Sequence, residues 1–149
     1  MSHPLPNAES SAAHPTGIAV SLVRTAADLP RVLDAVEAAM GRRGYPVRDH
    51  FGVRLALEEA VVNALKHGHG GNPTLAARVR WRVTAGEVLA EVQDEGPGFD
   101  PEGVADPCDP ANVGRPCGRG LLLIRHYTTW SRYDRGGTRL TLCRKRSPA

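Results

Sequence analysis

Three short stretches of this chain carry residue types that could bind or transform a small polyanion. The first is Glu58-Glu59-Ala60-Val61-Val62-Asn63-Ala64-Leu65-Lys66-His67. Glu59, Asn63 and His67 recur at every fourth position, so a helix would line them up as one polar stripe on an otherwise mostly apolar surface. Carboxylate and amide oxygens suit a hard cation such as Mg2+, which takes few protein ligands and completes its shell with water and phosphate. Asn63 could supply one such oxygen. Glu59, one turn away, could accept the proton of an attacking hydroxyl or water.

The second stretch is Asp94-Glu95-Gly96-Pro97-Gly98, which ends an apolar run. Gly96 and Gly98 bracket a turn where backbone can approach a flat ligand with no Cβ in the way. The Asp94 carboxylate could accept a hydrogen bond from an exocyclic amine, as on adenine. The third is Gly118-Arg119-Gly120 ahead of Leu121-Leu122-Leu123-Ile124. A small-residue turn at a helix start offers free backbone N–H groups and the positive end of the helix dipole to phosphate, and Arg119 could add a charged contact. Taken singly, each stretch has a plainer explanation: a solvated helix face, a strand-ending turn and a tight loop-to-helix connection.

The elements that must hold these residues follow from the hydrophobic periodicity. Residues 1–16 contain three prolines and three serines and few large apolar side chains, and read as a flexible leader. Residues 17–23 are β-branched and apolar and read as a strand. From Asp28, a plausible N-cap, Leu29, Val32, Leu33, Val36, Ala39 and Met40 recur at helical spacing until Gly41 and Gly44. A second helix is expected from about residue 47 to 67, burying Val53, Leu57, Ala60, Val61 and Ala64, with Gly68, Gly70 and Gly71 at its end.

Strands at 75–83 and 88–93 flank Thr84-Ala85-Gly86-Glu87, which reads as a hairpin turn. Between Gly98 and Gly118 lies a segment with four prolines, long for a connection inside a compact domain, of the kind that serves as a lid. A short helix at 121–126 and strands near 129–133 and 138–143 complete the domain, placed at 17–144. The basic residues 145–149 read as a solvated tail.

In company, the three stretches resemble the boxes of the GHKL ATPases. Glu59-Ala60-Val61-Val62-Asn63-Ala64 resembles the N box, Asp94-Glu95-Gly96-Pro97-Gly98-Phe99 the first glycine box and Gly118-Arg119-Gly120-Leu121 the second. Gly137-Thr138 looks like the short late motif beside the adenine pocket. Within that superfamily the Glu-Glu-Ala-x-x-Asn-Ala helix and the compact size look most like the bacterial anti-sigma-factor serine/threonine-protein kinases.

The resemblance implies a Bergerat-type ATP-binding fold, an α/β two-layer sandwich with a mixed, mainly antiparallel sheet and helices on one face. It implies ATP and Mg2+ as cofactors, Glu59 as catalytic base, Asn63 as magnesium ligand and Asp94 as acceptor for the adenine amine. Gly96 and Gly98 would border the base, Gly118, Arg119 and Gly120 the triphosphate, and Thr138 the adenine side through water. The lid departs from many relatives in carrying Cys108, Pro110, Pro116 and Cys117. The implied partners are a STAS-domain anti-anti-sigma factor and a sigma factor, with a homodimer left open. The alternative is an ATP-dependent regulatory binding module without efficient phosphoryl transfer.

Composition narrows the field. The formal charge is +3, from 19 basic and 16 acidic side chains, so nucleic acid is not the expected partner. Three cysteines at irregular spacing make neither a disulfide framework nor a zinc signature, even with His67 and His69 nearby. The first residues lack the basic head and apolar run of a signal peptide, and no stretch could span a bilayer. A cytoplasmic protein is the expectation.

Overall fold

A computed structural model describes residues 17–70, 72, 74–96 and 118–149. The leader and the expected lid lie outside them. The described elements run β1 (Ala19–Val23), a 3-10 turn (Ala26–Asp28), α1 (Leu29–Arg42), α2 (Val47–Asn63), a π-turn (Ala64–Gly68), β2 (Ala77–Val83), β3 (Glu87–Gln93), α3 (Gly118–Tyr127), β4 (Trp130–Asp134), a 3-10 turn (Arg135–Gly137) and β5 (Arg139–Lys145).

The strands form one sheet in the order β1-β2-β3-β5-β4, and every pairing is antiparallel. The expected α/β sandwich with a mainly antiparallel sheet is present, and its antiparallel character is complete. The connection from β3 through α3 does return β4 in β3's direction, but β5 is inserted between them, so the two parallel strands never bond. The alternation of side chains then sorts the sheet into two faces. Val79, Trp81, Val83, Val88, Ala90, Val92, Leu140 and Leu142 join the helices in one core. Val20, Leu89 and Cys143 form a smaller cluster with Ile18, and Trp130 packs against it. Beside that cluster the buried Arg80 pairs with Glu91 directly across the β2–β3 ladder, at 2.9 Å.

The helices lie over the first face as the apolar spacing predicts. α1 buries Leu29, Val32, Leu33, Val36 and Met40 and packs on β2; α2 packs on β3 and β5; α3 packs on β4. α1 ends in a Schellman arrangement: Gly44, at φ +66°, donates to the Gly41 carbonyl, and Tyr45 donates to that of Met40. Its start differs from expectation. Asp28 is itself helical and reaches backwards, its Oδ2 accepting from the N–H groups of Arg24 (2.9 Å) and Thr25 (3.2 Å), so it caps the preceding 3-10 turn.

The C-terminal residues are mostly exposed, as expected of a solvated tail, but they are also anchored. β5 extends through Lys145, and Arg146 lies over the Tyr45 ring at 4.8 Å while donating to the carbonyls of Arg43 and Gly44. Ser147 donates from both N and Oγ to Asp49, which is fully buried. Arg144 completes this clamp: its Nε donates to Asp49 Oδ1 (2.8 Å) and its Nη1 to the Tyr127 carbonyl (2.7 Å). One guanidinium thereby joins β5, α2 and the end of α3. Gly52 makes room for it, since a Cβ there would stand 2.5 Å from Arg144 Nη1. No helix among the described residues is long and apolar enough to cross a membrane.

Candidate functional site

The C-terminal half of α2 carries Glu59 and Asn63 one turn apart, and α3 begins against them. A Cβ built on Gly120 would stand 3.0 Å from Glu59 Oε2, 3.4 Å from Asn63 Nδ2 and 3.5 Å from Asn63 Oδ1. Only a glycine lets the first turn of α3 come this close without displacing either side chain. The helix start, whose first N–H groups have no partner within the helix and whose dipole end is positive, is thus seated against the carboxylate and amide. Gly118 and Arg119 belong to the same first turn.

Asn63 is buried, and its Nδ2 makes no hydrogen bond of normal geometry, although the amide lies near enough to the Tyr133 hydroxyl to favour its ionised form. An orphaned buried amide donor costs free energy on the order of 1–3 kcal/mol. Such a group beside a carboxylate and a helix N-terminus suits a bound polyanion and its hard cation, and the donor set fits magnesium and phosphate in kind. Among the described residues, no group of three or more His, Cys, Asp or Glu could hold a metal ion. Glu59 is half-buried, and none of the ion pairs among the described residues involves Glu59 or Asp94.

Asp94 follows the last residue of β3. Its N–H donates to the Thr138 carbonyl at 2.8 Å, extending the β3–β5 ladder by one rung and joining the second stretch to the late Gly137-Thr138 motif. Gly136 and Gly137, at φ +66° and +87°, turn the chain so that Thr138 can do this. The Thr138 hydroxyl donates to the Arg135 carbonyl at 2.8 Å, and its oxygen keeps acceptor capacity. Asp94 Oδ1 in turn accepts from Gly96 N–H at 2.8 Å, closing an Asx turn. Burial pushes the Asp94 carboxyl above its usual value, and the Gly96 bond and the neighbouring His69 only partly oppose this.

Two residues that the sequence did not assign to the site stand inside it. Tyr133 is pushed up to about 12 by burial, with the nearby Asn63 amide opposing and the charge of Asp94 adding to the rise. It bridges the amide end of the site to the carboxylate end. The two-residue alternation of β4 could have revealed it: Arg132 and Asp134 face away from the helices, which leaves Tyr133 toward them. His69 is buried just beyond the π-turn and accepts Glu95 N–H at Nε2, at 2.8 Å.

The structure therefore brings Glu59, Asn63 and Gly120 together at one end and Asp94, Gly96 and Thr138 at the other. Gly98 and the expected lid at 107–117 lie outside the described residues, and the side chains of His67 and Arg119 are likewise not described. Trp81 packs in the main core and Cys143 in the smaller cluster, where burial and Glu87 push its thiol up to about 12.

Residues 22–144 match the family model of the histidine kinase-like ATPase domain. The match spans most of the chain, and the protein belongs to this family. The GHKL-type ATP-binding domain that the three boxes imply is thus supported, with ATP as its ligand. No curated protein matches the chain.

Proposed function

We propose that this protein is a Mg·ATP-dependent serine/threonine-protein kinase of the anti-sigma-factor type, which phosphorylates a STAS-domain anti-anti-sigma factor and sequesters a sigma factor. The observation that carries the phosphoryl-transfer reading is the seat of Gly120 against Glu59 and Asn63. It unites a helix N-terminus suited to phosphate, a carboxylate free of ion pairs among the described residues, and an amide whose donor lacks a partner. The family match supplies ATP. The choice of substrate and partner rests on the resemblance of the Glu58-Glu59-Ala60-Val61-Val62-Asn63-Ala64 helix to anti-sigma kinases.

In this reading Asp94 accepts a hydrogen bond from the adenine amine, with Gly96 and Gly98 beside the ring and Thr138 supporting it through water. Gly118, Arg119 and Gly120 bind the phosphates. Asn63 holds magnesium, which when bound neutralises phosphate charge. The substrate's serine or threonine hydroxyl attacks the γ-phosphorus, the bond to the β,γ-bridging oxygen breaks, and ADP leaves. Glu59 accepts the hydroxyl proton. Positioning and charge neutralisation supply most of the acceleration.

Glu59→Gln tests the reading, because it keeps size and hydrogen-bonding capacity and removes only the base. Mg·ATP affinity, measured by titration calorimetry, is expected to survive. Single-turnover transfer to a STAS-domain partner is expected to fall by roughly a hundredfold to ten-thousandfold. Transfer at the wild-type rate with preserved affinity would remove Glu59 as the base. A wild-type protein that binds Mg·ATP and transfers nothing would leave the regulatory binding module in its place.

A further inference from the structure

We infer that His69 is a positioning residue for nucleotide selectivity: its neutral imidazole pins the Asp94-Glu95-Gly96 turn to the end of the helix that carries Glu59 and Asn63. This inference rests on Asp94 being the acceptor for the adenine amine, and it adds what fixes that acceptor in place.

The turn has three backbone N–H groups in a row, each with its own kind of partner. Asp94 N–H bonds the Thr138 carbonyl, which ties the turn to the sheet. Gly96 N–H bonds the Asp94 carboxylate, a contact internal to the turn. Glu95 N–H bonds His69 Nε2 at 2.8 Å, and it is the one of the three that reaches the helical layer. Without it, the turn could pivot about its sheet anchor and carry the Asp94 carboxylate away from the α2 end of the site.

His69 is itself held firmly. Its N–H bonds the Ala64 carbonyl at 3.0 Å, the i to i+5 contact that closes the π-turn, and its carbonyl accepts from Asn72 N–H. Single π-turns inside or at the end of α-helices are frequent at functional sites. Here the turn sets the imidazole directly beyond Asn63 and over the end of β3. Because Nε2 accepts, the proton of the neutral ring resides on Nδ1, which is buried and has no partner. An apolar side chain would fill this place without that cost. The imidazole is kept for its acceptor edge.

The test compares ATP with inosine triphosphate, which retains ring, ribose and phosphates and replaces the 6-amino group by an oxo group. Affinities are measured by calorimetry in magnesium for the wild-type protein and for His69→Leu, His69→Gln and Asp94→Asn. His69→Leu is expected to weaken ATP about tenfold while leaving inosine triphosphate unchanged, since about one hydrogen bond's worth of placement is lost. His69→Gln, whose carboxamide oxygen reaches about as far as Nε2, is expected to restore the wild-type ratio. His69→Leu combined with Asp94→Asn is expected to be no worse than Asp94→Asn alone.

Equal weakening of both nucleotides by His69→Leu, or no weakening of either, would overturn the inference. If the leucine variant does not fold, His69→Asn carries the same comparison against His69→Gln, because its acceptor falls one carbon short; equal ratios for the two would overturn the inference. Asp94→Asn with unaltered ATP affinity would instead overturn the adenine assignment itself. A weakened Asp94→Asn beside an unaffected His69→Leu removes only the role given to His69.

Discussion

The two halves of α2 treat buried polar groups in opposite ways. Near its start, Asp49 is fully buried and every oxygen is used: Oδ1 accepts from Arg144 and Ser147 Oγ, and Oδ2 from Ser147 N–H. Near its end, Asn63 is buried with an idle Nδ2, and His69 just beyond has an idle Nδ1. The same helix on the same sheet is saturated at one end and left incomplete at the other. Saturation marks a position whose work is structural. Idle atoms also occur in the buried Arg80–Glu91 pair and at Trp81, so the idle amide points to a ligand only together with the seat of Gly120 against it.

The acids on the two sides show the contrast electrostatically. Burial works to raise both Asp49 and Asp94. At Asp49 the bonds from Ser147 and Arg144 outweigh it and hold the carboxyl below its usual value, whereas at Asp94 burial wins.

The largest effect is expected from Arg144→Met. It leaves the Asp49 carboxylate buried beside Ser147 alone and frees the Tyr127 carbonyl, and removal of one partner from a buried ion pair costs ~3–5 kcal/mol. Urea unfolding measures this directly. A loss below about 1 kcal/mol, the scale of an exposed pair, would mean that the clamp end is no more committed than the site end.

A pH series sharpens the same comparison. The Asp49 carboxyl is lowered in the folded protein, so its contribution is present above its ordinary value of 3.8 and disappears as pH falls through the folded value. Asp49→Asn should therefore be less stable than wild type at pH 7, and the gap should close as pH drops below 3.8. Asp94 has the opposite sign. Its carboxyl is raised, so its contribution is present below 3.8 and lost as pH rises through the folded value. Asp94→Asn should hold or gain stability at neutral pH. Parallel pH curves for the two variants, read by denaturant unfolding, would erase the distinction.

The smallest change in stability is expected from Asn63→Ala. It deletes a buried donor with no partner, so the lost Tyr133 contact is offset by relief of that cost, and unfolding should shift by about 1 kcal/mol or less. Magnesium-dependent ATP binding should nevertheless be lost. Unchanged Mg·ATP affinity would place Asn63 with the structural groups.

What the sequence made legible was what short-range pattern controls. The apolar spacing of α1 and α2, the β2–β3 hairpin and the glycine-led start of α3 each follow from residues a few positions apart. So do the three boxes, because helical phase alone aligns Glu59 with Asn63. Hidden from it were contacts that only folding brings together: Arg144 meets Asp49 across 95 positions, and Ser147 meets it across 98. The basic C-terminal run is exposed as its composition suggests, but its anchors, Tyr45 and Asp49, lie about a hundred positions upstream and so left no local signal. Asp28 looked like a forward cap because a carboxylate before a helix has two directions to bond, and composition does not choose between them. His69 was hidden by the π-turn, which shifts the helical phase after Ala64 away from the regular repeat.

The sheet order has a kinetic consequence. β2 and β3 are joined by a three-residue loop, so their pairing closes at small entropic cost, whereas β1 must find β2 across both helices, Ala19 meeting Trp81. Loop length alone therefore predicts that the β2–β3 hairpin forms before β1 docks, which φ-values at Val79 and Val20 would check. Until β1 docks, Ala-Val-Ser-Leu-Val is an uncharged strand with every backbone group open, and the outer rail of β2 is open with it. Arg78 and Arg82, on one face of β2, place charge beside that rail, which discourages a second chain from pairing there first.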